Sequence, residues 1–159
     1  MKQTLDFIIN GAEVKRYHTV KTHTQETVGH HSHGVATLCL LFDPNPSTSL
    51  LKAALLHDLT EQFTGDIPSP AKRELGIAND IGVLEKRLMQ NAGISMPALS
   101  NNERRTLKLA DIAHGALFCL KEMSMGNVDI KKVYDRYISY AEELNLEGRE
   151  KEIFNLIKG

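Results

Sequence analysis

Acid–base and metal chemistry depend on side chains that carry a charge or a lone pair where the surroundings are apolar. His57-Asp58 is the first such place. The pair closes the run Leu50-Leu51-Lys52-Ala53-Ala54-Leu55-Leu56, the most apolar helical stretch of the chain. Polar groups buried there need partners, because an unpaired buried charge is strongly unfavourable. Helical neighbours point about 100° apart, so both side chains can touch one atom at the helix end, and a metal ion is such a partner. Asp111 is the second place: it is the only acid between Glu103 and Glu122 and falls in an apolar stretch. Two readings stand for it, a metal ligand or a buried carboxylate bonded to a Lys or Arg of another helix. The third is Gly29-His30-His31-Ser32-His33-Gly34. His31 shares a helical face with Val28, Val35 and Leu38 and points to the core. His30 and His33 lie near a different face as solvated side chains, or His33 lines a pocket.

One His on an early helix, a His-Asp dyad ending the next and an Asp on a later helix make a plausible ligand set. Two neutral imidazoles and two carboxylates suit one divalent ion such as Mn²⁺, Co²⁺, Zn²⁺ or Fe²⁺, with Mg²⁺ a further option. A six-coordinate ion held by four protein ligands has room for water and substrate. Such an ion polarises a phosphoryl oxygen and makes bound water a better nucleophile.

The elements that must position these residues are helical. Apolar/polar alternation is nowhere sustained, whereas helix signals recur along the chain. Thr27 to Phe42 reads as a helix stopped by Asp43-Pro44-Asn45-Pro46. Ser47 caps the next, Thr48 to about Leu59, which is apolar nearly all round and belongs in the middle of the domain. Phe63 to Pro70 reads as an ordered loop with two prolines fixing φ. A helix over Asn79 to Asn91 is stopped by Ala92-Gly93. Ser100-Asn101-Asn102-Glu103 is a capping box opening a long helix to about Met125. A last pair, about Asp129 to Leu144 and Glu147 to Ile157, completes an all-α chain with no repeat and no interdomain linker.

The 159 residues suit one domain. Lys+Arg 19 against Asp+Glu 20 leaves a net charge of −1, which argues against a broad nucleic-acid-binding surface. No apolar run approaches a membrane span, and Met1 to Glu13 lacks the apolar core of a secretory signal. Cys39 and Cys119 each lie in an apolar run and read as buried free thiols of an intracellular protein.

Five blocks in order carry a resemblance: Arg16-Tyr17; His31-Ser32; His57-Asp58-Leu59-Thr60-Glu61; Thr64-Gly65-Asp66-Ile67-Pro68-Ser69-Pro70-Ala71-Lys72; and Lys108-Leu109-Ala110-Asp111. Together they resemble the small HD-domain metal-dependent phosphohydrolases, which include bacterial 5′-deoxynucleotidases and short phage dATP triphosphohydrolases of the DatZ type. The resemblance covers roughly residues 14–127. It implies a compact HD-domain helical bundle over 1–159 and one metal held by His31, His57, Asp58 and Asp111. Glu61, one turn beyond His57, would orient or deprotonate the attacking water, and Asp66 would help position water or substrate. Arg16 and Lys72 would contact phosphate. Tyr17 stands where the family usually has Trp, the aromatic implicated in excluding a ribose 2′-OH. His18 and His23, in the same loop region, read as solvated or as lining the base pocket. No His falls between His57 and Asp111, unlike the two-metal HD enzymes.

The implied activity is hydrolysis of 2′-deoxynucleoside 5′-phosphates. The stretches Ala53-Ala54-Leu55-Leu56-His57-Asp58 and Phe118-Cys119-Leu120-Lys121-Glu122 favour the phage type, releasing deoxynucleoside and triphosphate from a dNTP, dATP first. A dNMP-hydrolysing 5′-deoxynucleotidase is the alternative, and a non-catalytic nucleotide-binding HD protein a more distant one. The resemblance also implies a homo-oligomer, dimer or larger, in the cytoplasm (a host's, if phage-encoded), with no nucleic-acid or membrane partner.

Overall fold

The computed structural model describes all 159 residues. Its elements are α1 (Lys2–Ala12), α2 (Val28–Phe42), α3 (Thr48–Leu56), α4 (Glu61–Thr64), α5 (Ser69–Glu74), α6 (Ala78–Asn91), α7 (Asn101–Ser124), α8 (Lys131–Glu142) and α9 (Gly148–Lys158). The expected all-α bundle is the observed fold. The one β feature is an isolated antiparallel bridge, Lys15 to Thr27, which closes the loop between α1 and α2.

α7 is the spine. Its Leu109, Ile112, Ala113 and Ala116 meet Ala141 of α8 and Ile153, Phe154 and Ile157 of α9 in the largest buried cluster. On another side Ala110 packs with Val35 and Cys39 of α2 and Leu50 and Ala54 of α3. Small side chains at these positions let three helices approach closely. Caps fix where the helices start. Ser47 Oγ accepts from Leu50 N at 3.0 Å, and Ser100 with Glu103 completes the expected capping box.

Three local features differ from the sequence reading. The N-terminal α1 was hidden because its obvious apolar residues, Leu5, Ile8 and Ile9, face outward. Its buried contacts are made by Phe7, against Val28, Leu59, Met89 and Ala92, and by Gly11. A Cβ at Gly11 would stand 2.6 Å from the Leu59 carbonyl oxygen, so only glycine permits this crossing. α3 stops at Leu56, not Leu59, because the chain tightens into i→i+3 turns: Leu59 N to Leu56 O, Glu61 N to Asp58 O and Phe63 N to Thr60 O. The expected loop over 63–70 contains the end of α4 and the start of α5, the latter with Pro in its first turn.

Candidate active site

The tight turns after α3 bring His57 and Asp58 against α2 and α7. His31 of α2 is fully buried; its Nε2 lies 3.6 Å from Asp58 Oδ2 and 3.3 Å from Asp111 Oδ1. His57 Nε2 lies 3.3 Å from the same Asp58 oxygen. Both Nε2 atoms are buried and neither makes a hydrogen bond. His57 donates its Nδ1 hydrogen to Ala54 O at 2.9 Å, the tautomer that leaves Nε2 with a free lone pair. Burial, then the nearby Arg16 cation, lowers the pKa of His31 and keeps it neutral. Burial opposes charge on both carboxylates, but it is outweighed. His57, His31 and Arg16 hold Asp58 below its ordinary value. His31 and Lys108, whose Nζ is 3.1 Å from Asp111, hold Asp111 well below its own. Two orphaned lone pairs and the ionised Asp58 fit a divalent cation, with the ionised Asp111 beside them against His31. The donor atoms of His31, His57 and Asp58 all fall within 4.8 Å of one another.

The bridge between α1 and α2 sets the next residues. Arg16 N donates to Glu26 O at 3.0 Å, which lays the two side chains together. Arg16 then donates Nε to Glu26 Oε2 and Nη1 to Asp58 Oδ2, both at 3.0 Å. Burial pushes Glu26 up to about 7 against the pull of Arg16. Arg16 therefore clamps the Asp58 carboxylate, and Nη2 makes no hydrogen bond within the chain and is the nitrogen left for the phosphate contact expected from sequence. Tyr17 follows with φ 58°, a left-handed conformation rare for a residue with a Cβ. Three contacts hold it. Its N–H donates to Asp66 Oδ2 at 3.2 Å, its ring stacks on Phe118 at 4.4 Å, and its hydroxyl lies 3.1 Å from that of Tyr137.

These residues line one cleft of about 320 Å³. Arg16, Tyr17, Asp58, Glu61, Asp66, Lys72 and Asp111 all border it. His31 and His57 lie behind that wall. Lys108, quoted in a motif block but given no role, and Arg136 and Tyr137, not singled out from sequence, line it too. Glu61 is buried with Oε2 unpartnered. Burial, then the Asp58 and Asp66 charges, pushes its carboxyl well above the usual range. His18, His23, His30 and His33 are exposed and border no part of the cleft.

The model of a family described as 5′-deoxynucleotidase YfbR-like matches residues 5–155. The chain belongs to the YfbR-like 5′-deoxynucleotidase family. A 5′-deoxynucleotidase of Pectobacterium atrosepticum is 29% identical, the match spanning 73% of this chain and 70% of that protein. One from Citrobacter koseri is 33% identical over 46% of this chain and 45% of its own length. YfbR of Salmonella arizonae is 32% identical over 49% and 47%. The chain thus spans about half the length of these last two relatives. Among solved structures, cyanophage S-2L HD phosphohydrolase DatZ, bound to dA and one catalytic Zn²⁺, superposes with a TM-score of 0.68 at 20% identity, covering 96% of this chain and 93% of that one. An HD-domain phosphohydrolase from Listeria innocua gives 0.74 at 17%, covering 97% and 85%. These two likenesses are of fold.

In this YfbR-like chain, sequence reasoning gave no role to three polar residues that support the cleft, the buried Glu26 and Glu122 and the half-buried His114. Glu26 is the hub that holds Arg16. Glu122 of α7 accepts four hydrogen bonds, from His23 N, Thr24 N, Thr24 Oγ1 and Asn127 Nδ2, and latches the loop that follows Tyr17. His114 touches His31; burial, then His31 and Arg16, lowers it to about 4, so it too is neutral. A usable signal existed for His114, which stands i+3 from Asp111 in an apolar stretch. Glu26 and Glu122 offered none, because their partners come from distant loops or from the backbone.

Proposed function

We propose that the chain is a metal-dependent hydrolase of 2′-deoxynucleoside 5′-phosphates. The observation that carries this is the pair of buried, unpartnered imidazole nitrogens converging with Asp58 and Asp111 behind a cleft that also holds Glu61 and Asp66. His31, His57, Asp58 and Asp111 would hold one divalent cation. When bound it would polarise a phosphoryl oxygen and acidify water. Glu61, ionised once a bound cation offsets the Asp58 and Asp66 charges that hold its carboxyl high, would take a proton from the attacking water, and Asp66 would fix both the water and the Tyr17 backbone. The water oxygen bonds to the phosphorus that carries O5′. The P–O5′ bond breaks, and O5′ takes the proton that Glu61 removed from the water, leaving as the deoxynucleoside hydroxyl and returning Glu61 to its ionised form. Arg16 Nη2 and Lys72 stabilise charge on the phosphoryl oxygens. The Tyr17 ring, fixed against Phe118, forms the wall beside the sugar.

The length of the phosphate chain divides two readings. Lys72 and Arg136 line the cleft outside the ion pairs that engage Arg16 and Lys108, and two such cations favour a substrate more anionic than a monophosphate. We therefore put a dNTP triphosphohydrolase first, with dATP the first base to test because the DatZ neighbour is bound to dA. The match to the 5′-deoxynucleotidase family favours the monophosphate.

Chromatographic product analysis with Mn²⁺ or Co²⁺, each dNTP and dNMP, and ATP and AMP as ribose controls decides between them. Deoxynucleoside with intact triphosphate supports the first, and deoxynucleoside from monophosphates alone the second. Metal binding without turnover of either would refute the proposal. A homo-oligomer belongs to the same proposal: Leu40, Leu41 and Leu55 stand about half exposed on the paired helices α2 and α3. So does a reducing, cytoplasmic setting, with which the free buried Cys39 and Cys119 are consistent.

A further inference from the structure

His114 lies on α7 one turn after Asp111, yet it borders no part of the cleft. It meets His31 on the side away from the proposed ligands. The two Nδ1 atoms are 3.1 Å apart and the rings meet edge-on, with centroids at 5.0 Å. His31 thus has one nitrogen facing Asp58 and Asp111 and the other facing His114. Two Nδ1 atoms at this distance share one hydrogen. A neutral imidazole that offers Nε2 to a cation must carry its hydrogen on Nδ1, and His114 Nδ1 is then the atom that accepts it. His57 is set the same way by a backbone carbonyl, Ala54 O. Glu26 Oε1, at 3.6 Å from His114 Nδ1, is beyond hydrogen-bond reach, and Arg16 holds its other oxygen.

The room for this ring is made by Gly34, one turn after His31 on α2. A Cβ there would stand 2.0 Å from His114 Cδ2 and 2.1 Å from Nε2. Glycine weakens a helix interior, so its place in the middle of α2 has a reason in the ring pressed against it.

We propose that His114 is a positioning residue for the metal site, accepting the Nδ1 hydrogen of His31 so that Nε2 faces the cation, and that Gly34 is the opening that lets it do so. This rests on the metal-site reading above. It concerns how one ligand is aimed rather than which reaction follows.

The test is Co²⁺ binding to metal-free protein, followed by calorimetry and by visible absorption, in wild type and in H114L, H114N, G34A and D58N. Asn can place an acceptor oxygen close to where Nδ1 stands, whereas Leu fills the space without an acceptor. H114L and G34A should bind Co²⁺ about 10–100-fold more weakly, with an altered absorption band, as for loss of an outer partner of a metal-bound His. H114N should stay near wild type. The double variant G34A/H114L should bind no more weakly than the worse single, since both remove one contact. Circular dichroism checks that each variant is folded.

Wild-type affinity in H114L overturns the proposal, while loss of binding in D58N leaves the metal site standing. Equal loss in H114L and H114N assigns the effect to ring shape and also overturns it. Two ions per wild-type chain, with one lost in H114L, would make His114 a ligand and overturn it as well. Absence of Co²⁺ binding by wild type would bring down both this inference and the metal-site reading.

Discussion

Glu122→Gln isolates the latch that holds the loop after Tyr17. The wild-type carboxylate is fully buried and accepts four hydrogen bonds at 2.6–2.9 Å. Burial alone would raise its pKa, but the hydrogen bonds from Thr24, Asn127 and His23 prevail and hold it at about 2, against an ordinary 4.5. At about 1.4 kcal/mol per tenfold in the proton equilibrium, that gap amounts to about 3 kcal/mol. Gln keeps the shape but removes the charge and turns an N–H₂ toward groups that are themselves donors. The melting temperature at pH 7 should fall by roughly 6–12 °C for a chain of this size. The sign follows from the depressed folded pKa. The contribution is complete above about pH 4.5 and drains away as pH falls toward 2. Thermal melts of wild type and variant, monitored by circular dichroism from pH 7 to pH 3, should therefore converge at the acid end. Equal melting temperatures at pH 7, or a gap of constant size across that range, would refute the reasoning.

Asp58→Ala should abolish metal binding and activity together, and it strands Arg16 Nη1, whose bond to Asp58 is lost; metal retained in the purified variant would contradict the ligand assignment. Glu61→Gln should keep the metal and lose about 10²–10⁴-fold in turnover, as for loss of a general base. In metal-free protein the same change should raise the melting temperature at pH 8. Burial, then Asp58 and Asp66, pushes the Glu61 carboxyl up to about 9, so at pH 8 the folded chain holds a proton that the unfolded chain releases; this penalty sets in above about pH 4.5, and the gain should vanish below that. Gly115→Ala places a Cβ 2.3 Å from Tyr137 Cζ. Overpacking of about 1–3 kcal/mol is expected, with displacement of Tyr137 from Tyr17. Tyrosine fluorescence reports this cleanly because the chain has no Trp.

The candidate ligand positions stood out in the sequence because each breaks a pattern. Asp111 interrupts an apolar stretch, and His57-Asp58 ends the most apolar run. Periodicity aimed His31 at the core, where it lies fully buried. The long helices were legible for the same reason, α7 from its capping box and α2 from the Pro/Asn stop. Long-range pairings were not. The bond from Arg16 to Asp58 spans 42 residues and that from Thr24 to Glu122 spans 98, and neither leaves a local mark. α1 was missed because burial of Phe7 and Gly11, rather than of Leu5, Ile8 and Ile9, is decided by Leu59 and Val28 elsewhere. The turns after α3 were missed because Leu59 continues an apolar run that the backbone has already left.

α7 carries Asp111, His114 and Glu122 along one continuous stretch. At 1.5 Å per residue, the proposed metal ligand and the loop latch are set about 16 Å apart by a rod with no joint. Inserting one residue between them would slide the latch by about 1.5 Å and swing it by about 100°. Descendants of this sequence can lengthen the Ala92–Ser100 connection or the turn after Ser124, where the chain runs between helices. Between Asp111 and Glu122 they can exchange side chains but not change the count.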